Sequence, residues 1–235
     1  MSVPRNPNSH RREFLTQVAT AAAVVAGTAC AAPLAGASVT GLPSRASKNA
    51  PFDDSWTRRV AAAKHRAVMD SPGIDDGLAL VHATFFMQGY REQLDVGGSD
   101  VVPVVVLRHQ GTIIALIDSI WEKYALGERY KVKDPATGKD ALRNPFVRVS
   151  KDDKNPLVPA DASLEALVAS GVILLACNKA AMRLAGQVAQ KFNRDADEVR
   201  AEFRAGIVPG VLLQPSGIYA TLRAQDAGCA FIKST

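Results

Sequence analysis

Along residues 56–235, short β-branched apolar runs alternate with longer stretches whose apolar positions have helical spacing. The short runs predict strands at about 66–69, 100–107, 172–176, 211–213 and 229–233. The longer stretches predict helices at about 78–86, 112–124, 162–169, 178–192, 196–205 and 218–227. Strands alternating with helices indicate an α/β fold. We therefore expect a single three-layer domain with flavodoxin-like layering and a mostly parallel sheet of about five strands.

Local features refine this expectation. Asp75 and Asp76 stand where side-chain caps of the next helix are expected, as does Asp195 before the helix at 196–205. Pro103 lacks an amide donor, which favours an edge position or a bulge for its strand. Residues 127–159 are long, polar and proline-containing. A loop of that length in a compact domain is typically functional, disordered or part of an oligomer contact.

Three candidate catalytic residues, Cys177, His109 and Lys179, lie where predicted strands end. Ligands and reactive groups of parallel sheets lie at the carboxyl ends of the strands. Cys177 also begins a helix, whose unpaired N–H groups and dipole favour the nucleophilic thiolate. His109 is suited to proton transfer, and Lys179 adds positive charge. The alternatives are an inert core cysteine and a histidine that hydrogen-bonds to loop carbonyls.

Other candidate chemistry has simpler explanations. Asp70, Asp75 and Asp76 suit a cation, but turn formation and helix capping are the simpler explanation. No zinc-ligand spacing and no phosphate-cradling glycine motif is present, so neither a metal nor a cofactor is predicted. Cys229 is interpreted as structural. Whether Cys177 and Cys229 form a disulfide stays open.

The first 37 residues have the pattern of a twin-arginine export signal. Arg11 and Arg12 precede an apolar run at 18–32, which is shorter than the roughly 20 residues of a membrane-spanning helix. A small-x-small site at 35–37 predicts cleavage near Ser38. Cys30 offers the alternative of a lipid anchor, but it lacks an upstream leucine, and release into the periplasm is favoured.

The predicted organisation is thus a signal at 1–37, a flexible leader at 38–55 and one domain at 56–235. The chain has 28 Lys and Arg against 23 Asp and Glu. Removing 1–37 takes away three arginines and one glutamate, so the formal charge falls from +5 to +3. Without a basic cluster interleaved with aromatic residues, no nucleic-acid partner is predicted. The translocase is the partner that the signal implies, and no membrane association is expected after signal removal.

Four stretches, in this order, resemble DsrE/DsrF-like proteins: 64–72, 102–109, 171–178 and 208–228. The resemblance implies a compact α/β domain that assembles into homo-oligomers. It also implies sulfur carried as a persulfide on the cysteine that Cys177 matches, with sulfur donor and acceptor proteins as partners.

Two functions are therefore expected. The first is a periplasmic sulfur-handling protein, a transferase or carrier, that relays sulfane sulfur on Cys177. The alternative is a non-catalytic oligomeric binding or assembly module of the cell envelope, in which the long loop supplies a partner surface.

Overall fold

The computed structural model describes residues 52–154 and 156–235. The predicted export signal, its cleavage site, Cys30 and nearly all of the leader lie outside the described residues. Within the described ranges, no helix is both long enough and apolar enough to cross a membrane.

Five strands form one parallel sheet: β1 (His65–Ser71), β2 (Val101–Leu107), β3 (Ile173–Cys177), β4 (Val211–Gln214) and β5 (Ala230–Lys233). Their order across the sheet is β4-β3-β2-β1-β5, and every neighbouring pair is parallel. Each strand lies within two residues of its predicted bounds. The strands are short because each apolar run ends at a turn or helix-start signal.

The described residues contain eight α-helices, of which the first precedes β1 and the others connect the strands: α1 (Trp56–Ala62), α2 (Leu78–Leu94), α3 (Asp118–Lys123), α4 (Leu126–Tyr130), α5 (Leu164–Ala169), α6 (Asn178–Lys191), α7 (Ala196–Ala205) and α8 (Gly217–Asp226). Asp195 caps α7 as predicted, because its Oδ1 accepts hydrogen bonds from the amides of Asp197 and Glu198.

The helices cover both faces of the sheet. Successive strand residues point to opposite faces, so Met69 and Leu174 enter one apolar cluster and Val68 and Leu175 enter the other. Helices α2, α5, α6 and α7 bury their apolar side chains in the first cluster, whereas α1 and α8 cover the second. The predicted three-layer α/β fold is confirmed.

Pro103 does not mark an edge strand or a bulge. It lies in β2, which is buried along its whole length between β1 and β3. Pairing with β3 begins only at Val104. The missing amide donor of Pro103 therefore precedes that ladder, and a proline is tolerated in a central strand.

Asp75 and Asp76 do not cap α2. Both have positive φ in a short 3₁₀ turn, and Gly77 occupies the N-cap position without a side-chain cap. Gly77 has φ +77°, and a Cβ there would lie 2.5 Å from Val158 Cγ1. Packing against the long loop therefore selects glycine at this position and leaves both aspartates ahead of the helix.

The predicted helix at 112–124 is wrong in its first half. Residues His109–Ala115 form a 3₁₀ helix, and the α-helix begins only at Asp118. Between them Leu116 is extended and makes an antiparallel bridge with Ile207. A long-range contact thus overrides the local helical spacing.

The connection from 131 to 159 has no helix or strand in its described part, apart from an isolated bridge between Lys133 and Asp140. It is nevertheless anchored in the core, because Phe146 and Val158 are fully buried. Asn144 Nδ2 donates 2.7 Å hydrogen bonds to the carbonyls of Ile114 and Leu116. Buried polar groups need such partners, so Asn144 holds the loop against the extended segment.

Candidate functional site

A crevice opens at the carboxyl edge of the sheet, where the chain leaves β3 and β4 toward opposite faces. β3 continues into α6 on one face, and β4 continues into α8 on the other. Cys177 and Gln214 are register partners at this edge. Open α/β sheets bind ligands at such a point of divergence.

The crevice contains a pocket of about 630 Å³, here called the strand-end pocket. Cys177, His109 and Lys179 all line it, so the fold brings the three predicted residues together. Three further cations line it: Arg108, Arg129 and Arg183. Among its described lining residues there is no carboxylate.

Cys177 is the last residue of β3 and the N-cap of α6. Its Sγ accepts a hydrogen bond from the backbone N–H of Ala180 at 3.3 Å. The side chain is 6% exposed, and the exposed part faces the strand-end pocket. An amide N–H is thus directed at the sulfur at the amino end of α6, a position at which reactive cysteines are found in other proteins.

Arg108 is held beside Cys177 by a buried carboxylate. Its Nε and Nη2 donate to the two oxygens of Asp70 at 2.6 and 2.7 Å. Asp70 is 5% exposed and lies on the neighbouring strand β1. These hydrogen bonds raise the pKa of Arg108, and the charge of Cys177 acts in the same direction. Asp70 thus fixes a permanent positive charge near the thiol.

Gly217 gives the Arg108 side chain its space. A Cβ at Gly217, the first residue of α8, would lie 2.3 Å from Arg108 Cβ. Ser216 caps the same helix through its Oγ, which accepts from the Tyr219 amide. Ser216 and Gly217 therefore also form part of the pocket wall.

His109 and Lys179 are exposed at the mouth of the strand-end pocket. His109 begins the 3₁₀ helix with a positive φ of 52°. The turn continues into Gly111, where a Cβ would lie 2.5 Å from the Gly73 carbonyl oxygen. Since the loop is that tight, His109 takes an unusual backbone conformation.

The pocket wall along α6 is made by side chains four residues apart: Lys179, Arg183 and Gln187. Residues at this spacing lie on one face of a helix. Gln187 Oε1 accepts a 2.6 Å hydrogen bond from Arg129 Nη2, which brings a cation of α4 to the far end of this wall.

Sequence reasoning missed Arg108, Asp70 as its partner, Arg129 and Arg183. The four-residue spacing of Lys179, Arg183 and Gln187 is a sequence signal that could have identified Arg183. Arg108 directly precedes His109 at a strand end and could have been included on the same ground. No sequence signal connects Arg129 to this site, because its position depends on how the loop after β2 folds back.

Cys229 lies at the opposite edge of the sheet from Cys177. It immediately precedes β5, whereas Cys177 ends β3, and both strands run in the same direction. Both cysteines are free. A disulfide requires Cα atoms within about 7 Å, so the two cannot be bridged in this fold. Burial among apolar side chains raises the pKa of Cys229 to about 12.

The aspartates considered for a cation have other roles. Asp70 is engaged by Arg108, and Asp75 and Asp76 form the turn before α2. In the described parts of the chain, no group of three or more His, Cys, Asp or Glu side chains is arranged to hold a metal ion.

Fold and site together define an α/β protein with a cysteine at a helix amino end in a cationic strand-end pocket. No protein-family model and no curated protein matches the chain. A solved structure of a protein of unknown function from Methanobacterium thermoautotrophicum is similar, with 16% identity over 72% of this chain and 98% of that chain and a TM-score of 0.34. The resemblance to DsrE/DsrF-like proteins stays a prediction.

Proposed function

We propose that this protein carries sulfane sulfur on Cys177, as a sulfur carrier or transferase. The observation that carries the proposal is the position of Cys177. It is the N-cap of α6, its Sγ accepts a hydrogen bond from the Ala180 amide, and it lines a pocket together with Arg108. A persulfide is an anion at neutral pH, so the same amide and cation that stabilise the thiolate stabilise the loaded state.

The loading step needs no additional oxidant. The Cys177 thiolate attacks one sulfur of a polysulfide chain, a new S–S bond forms to Cys177, and the S–S bond beyond that sulfur breaks. The leaving polysulfide, one sulfur shorter, takes the electron pair of the broken bond, so charge and atoms balance. Lys179 offsets the anionic charge of the donor, and His109 exchanges a proton with the thiol or the leaving group.

The cellular setting belongs to the same proposal. The twin-arginine pattern of residues 1–37 supports export of the folded protein to the periplasm, where donor and acceptor proteins would meet it. Homo-oligomerisation is proposed on the resemblance alone.

The experiment is intact-mass and peptide-level mass spectrometry of the purified protein after incubation with polysulfide. Cys177→Ser and Cys229→Ser are the matched variants. We expect added sulfur on Cys177 in the wild-type and Cys229→Ser proteins and none at position 177 in Cys177→Ser. A folded wild-type protein without an adduct at Cys177 would refute the proposal.

The alternative, a binding or assembly module, is favoured by one surface. Ile218 and Leu222 lie one helical turn apart on α8 and are 66% and 55% exposed. Ile218 also lies at the rim of the strand-end pocket. Analytical ultracentrifugation of wild type and the double variant Ile218→Ser/Leu222→Ser tests this function. An unchanged monomer in both cases counts against assembly through α8.

A further inference from the structure

The strand-end pocket contains more positively charged side chains than the single thiol of Cys177 could neutralise as a thiolate. Arg108 is engaged by Asp70, but Lys179 and Arg183 have no side-chain hydrogen bond or ion pair among the described residues. Among the described residues, the Arg129 side chain hydrogen-bonds to the neutral Gln187 alone, and its Cζ lies 5.9 Å from the centre of the Tyr130 ring. Three cations that face one concavity without a carboxylate repel each other, and a bound anion relieves that repulsion.

We infer that the strand-end pocket binds a small organic molecule with two separate phosphate-type oxyanion groups. The cations are spread along the pocket rather than concentrated at one point. Lys179 and Arg183 are one helical turn apart on α6, or about 6 Å along the helix axis, and Gln187 is about 6 Å further. Arg108 and Lys179 lie near Cys177, and Arg129 is held at Gln187.

This spacing distinguishes a ligand with two anionic groups from a single ion. One oxyanion group placed between Lys179 and Arg108 leaves Arg129 without a counter-charge, because Arg129 lies toward the other end of the α6 wall. Arg183 stands between the two ends and can contact either group. The planar guanidinium groups of Arg129 and Arg183 suit phosphate-type oxygens, because each can donate two parallel hydrogen bonds.

The rest of the lining indicates an organic body between the charged groups. Tyr130, Leu184 and Ile218 contribute apolar surface to the same pocket. Its volume of about 630 Å³ lies within the roughly 300–1,000 Å³ of small-molecule sites. An inorganic ion would leave most of that space and the apolar surface unused.

The binding is independent of the proposed sulfur chemistry, because the cations and not the thiol hold the ligand. It also differs from ordinary surface charge. The four cations come from three parts of the chain: the end of β2, α4 and α6. Helix α6 also presents its amino end at the floor of the pocket, which adds to the positive potential.

The test is isothermal titration calorimetry of the full-length protein with a sugar bisphosphate, a sugar monophosphate and the uncharged sugar, at low ionic strength. We expect the bisphosphate to bind at least about tenfold more tightly than the monophosphate, and the uncharged sugar not to bind. Raising the salt concentration should weaken binding, as expected of exposed charges.

Arg183→Ala and Lys179→Ala each replace an exposed side chain, so the variants are expected to fold, which circular dichroism checks. Each should weaken bisphosphate binding by about tenfold or more. Lys191→Ala is the matched control, since Lys191 is an exposed cation of the same helix outside the pocket. It should leave binding unchanged.

The inference would be overturned if the folded protein bound no bisphosphate at millimolar concentration, or if Arg183→Ala and Lys191→Ala lost binding equally. Cys177→Ser separates this inference from the proposed function. The variant should lose the sulfur adduct and keep bisphosphate binding. Loss of binding in this variant would also contradict an ion-held ligand.

Discussion

The two edges of the sheet each place a buried cysteine beside an arginine, but the two cysteines lie in different surroundings. Each has a nearly buried cysteine: Cys177 at the carboxyl edge and Cys229 at the amino edge. Each cysteine also has an arginine near it, Arg108 or Arg66. Yet Cys177 opens into a cationic pocket, whereas the pKa of Cys229 is raised to about 12.

What differs is the backbone around each sulfur. Cys177 precedes a helix and its Sγ accepts an amide hydrogen bond from Ala180. Cys229 follows a helix and packs in the apolar cluster beneath α8. At that edge Arg66 directs its guanidinium to the carbonyls of Gly228 and Ala61. A neighbouring cation and near-complete burial are thus common to both cysteines, and the amide donor to the sulfur and the adjoining pocket are found at Cys177.

The largest expected difference between the edges is in thiol reactivity. At pH 8, a thiol with a pKa near 12 is ionised in only about one molecule in ten thousand. We expect iodoacetamide to modify Cys177 at least about 100-fold faster than Cys229 in the native protein. Peptide-level mass spectrometry over a time course measures both rates in one sample, and denatured protein, in which the rates should converge, is the control. Equal alkylation rates of Cys177 and Cys229 in the native protein would contradict the predicted difference in thiol reactivity.

Removing a carboxylate should lower the free energy of unfolding much more at the carboxyl edge than at the amino edge. Asp70→Asn leaves Arg108 without its bidentate partner in a largely buried place, so we expect the free energy of unfolding to fall by about 2–3 kcal/mol. Asp100→Asn breaks the pair with Lys64 at the amino edge, where the side chains are 38% and 70% exposed. That loss should be about 0.5 kcal/mol or less. Urea denaturation measures both, and similar losses would contradict the difference in burial.

Adding a methyl group tests the arginine at each edge. Gly217→Ala places a Cβ against Arg108, and Gly228→Ala places one 2.5 Å from Arg66 Nε at φ +95°. Each should destabilise the fold by about 1–3 kcal/mol. Only Gly217→Ala should change the alkylation rate of Cys177, because only this substitution displaces a pocket residue.

Gly89→Ala in α2 is the control. A Cβ at this position meets nothing within 4 Å, so the free energy of unfolding is expected to rise by about 0.5–1 kcal/mol.

The smallest expected effect is a pH-dependent loss of stability on substituting Glu202, which lies outside the strand-end pocket. Hydrogen bonding from Tyr124, together with Lys123 and Arg194, lowers the pKa of Glu202 from 4.5 to about 2. A lowered carboxyl pKa contributes stability that is complete above the unfolded value and is lost as pH falls toward the folded value. Glu202→Gln should therefore lose on the order of 1 kcal/mol at pH 7, with screening by solvent included.

The difference between Glu202→Gln and wild type should shrink between pH 4.5 and about 2. Thermal denaturation across that range measures it. Cys177 alkylation at pH 8 should be unchanged in Glu202→Gln, since the Glu202 cluster is not part of the pocket lining. A difference in stability that stays constant down to pH 2 would contradict the proposed charge effect.

Sequence reasoning succeeded where a structure depends on neighbours a few residues away. The five strands, the Asp195 cap and the start of α6 at Asn178 follow from apolar spacing and from side chains that bond to nearby amides. It failed where a distant segment intervenes. The extended Leu116 pairs with Ile207, and the N-cap of α2 is set by packing of Gly77 against Val158.

The sequence by itself determined an α/β chain and a cysteine at the junction of a buried strand and a helix. Both are consequences of local periodicity and local hydrogen bonding. Only the tertiary structure decided that Arg108, Arg129 and Arg183 line one pocket with that cysteine and that Cys229 lies at the other edge. Strand order and the path of the loop after β2 set these positions, and both depend on contacts between residues far apart in the chain.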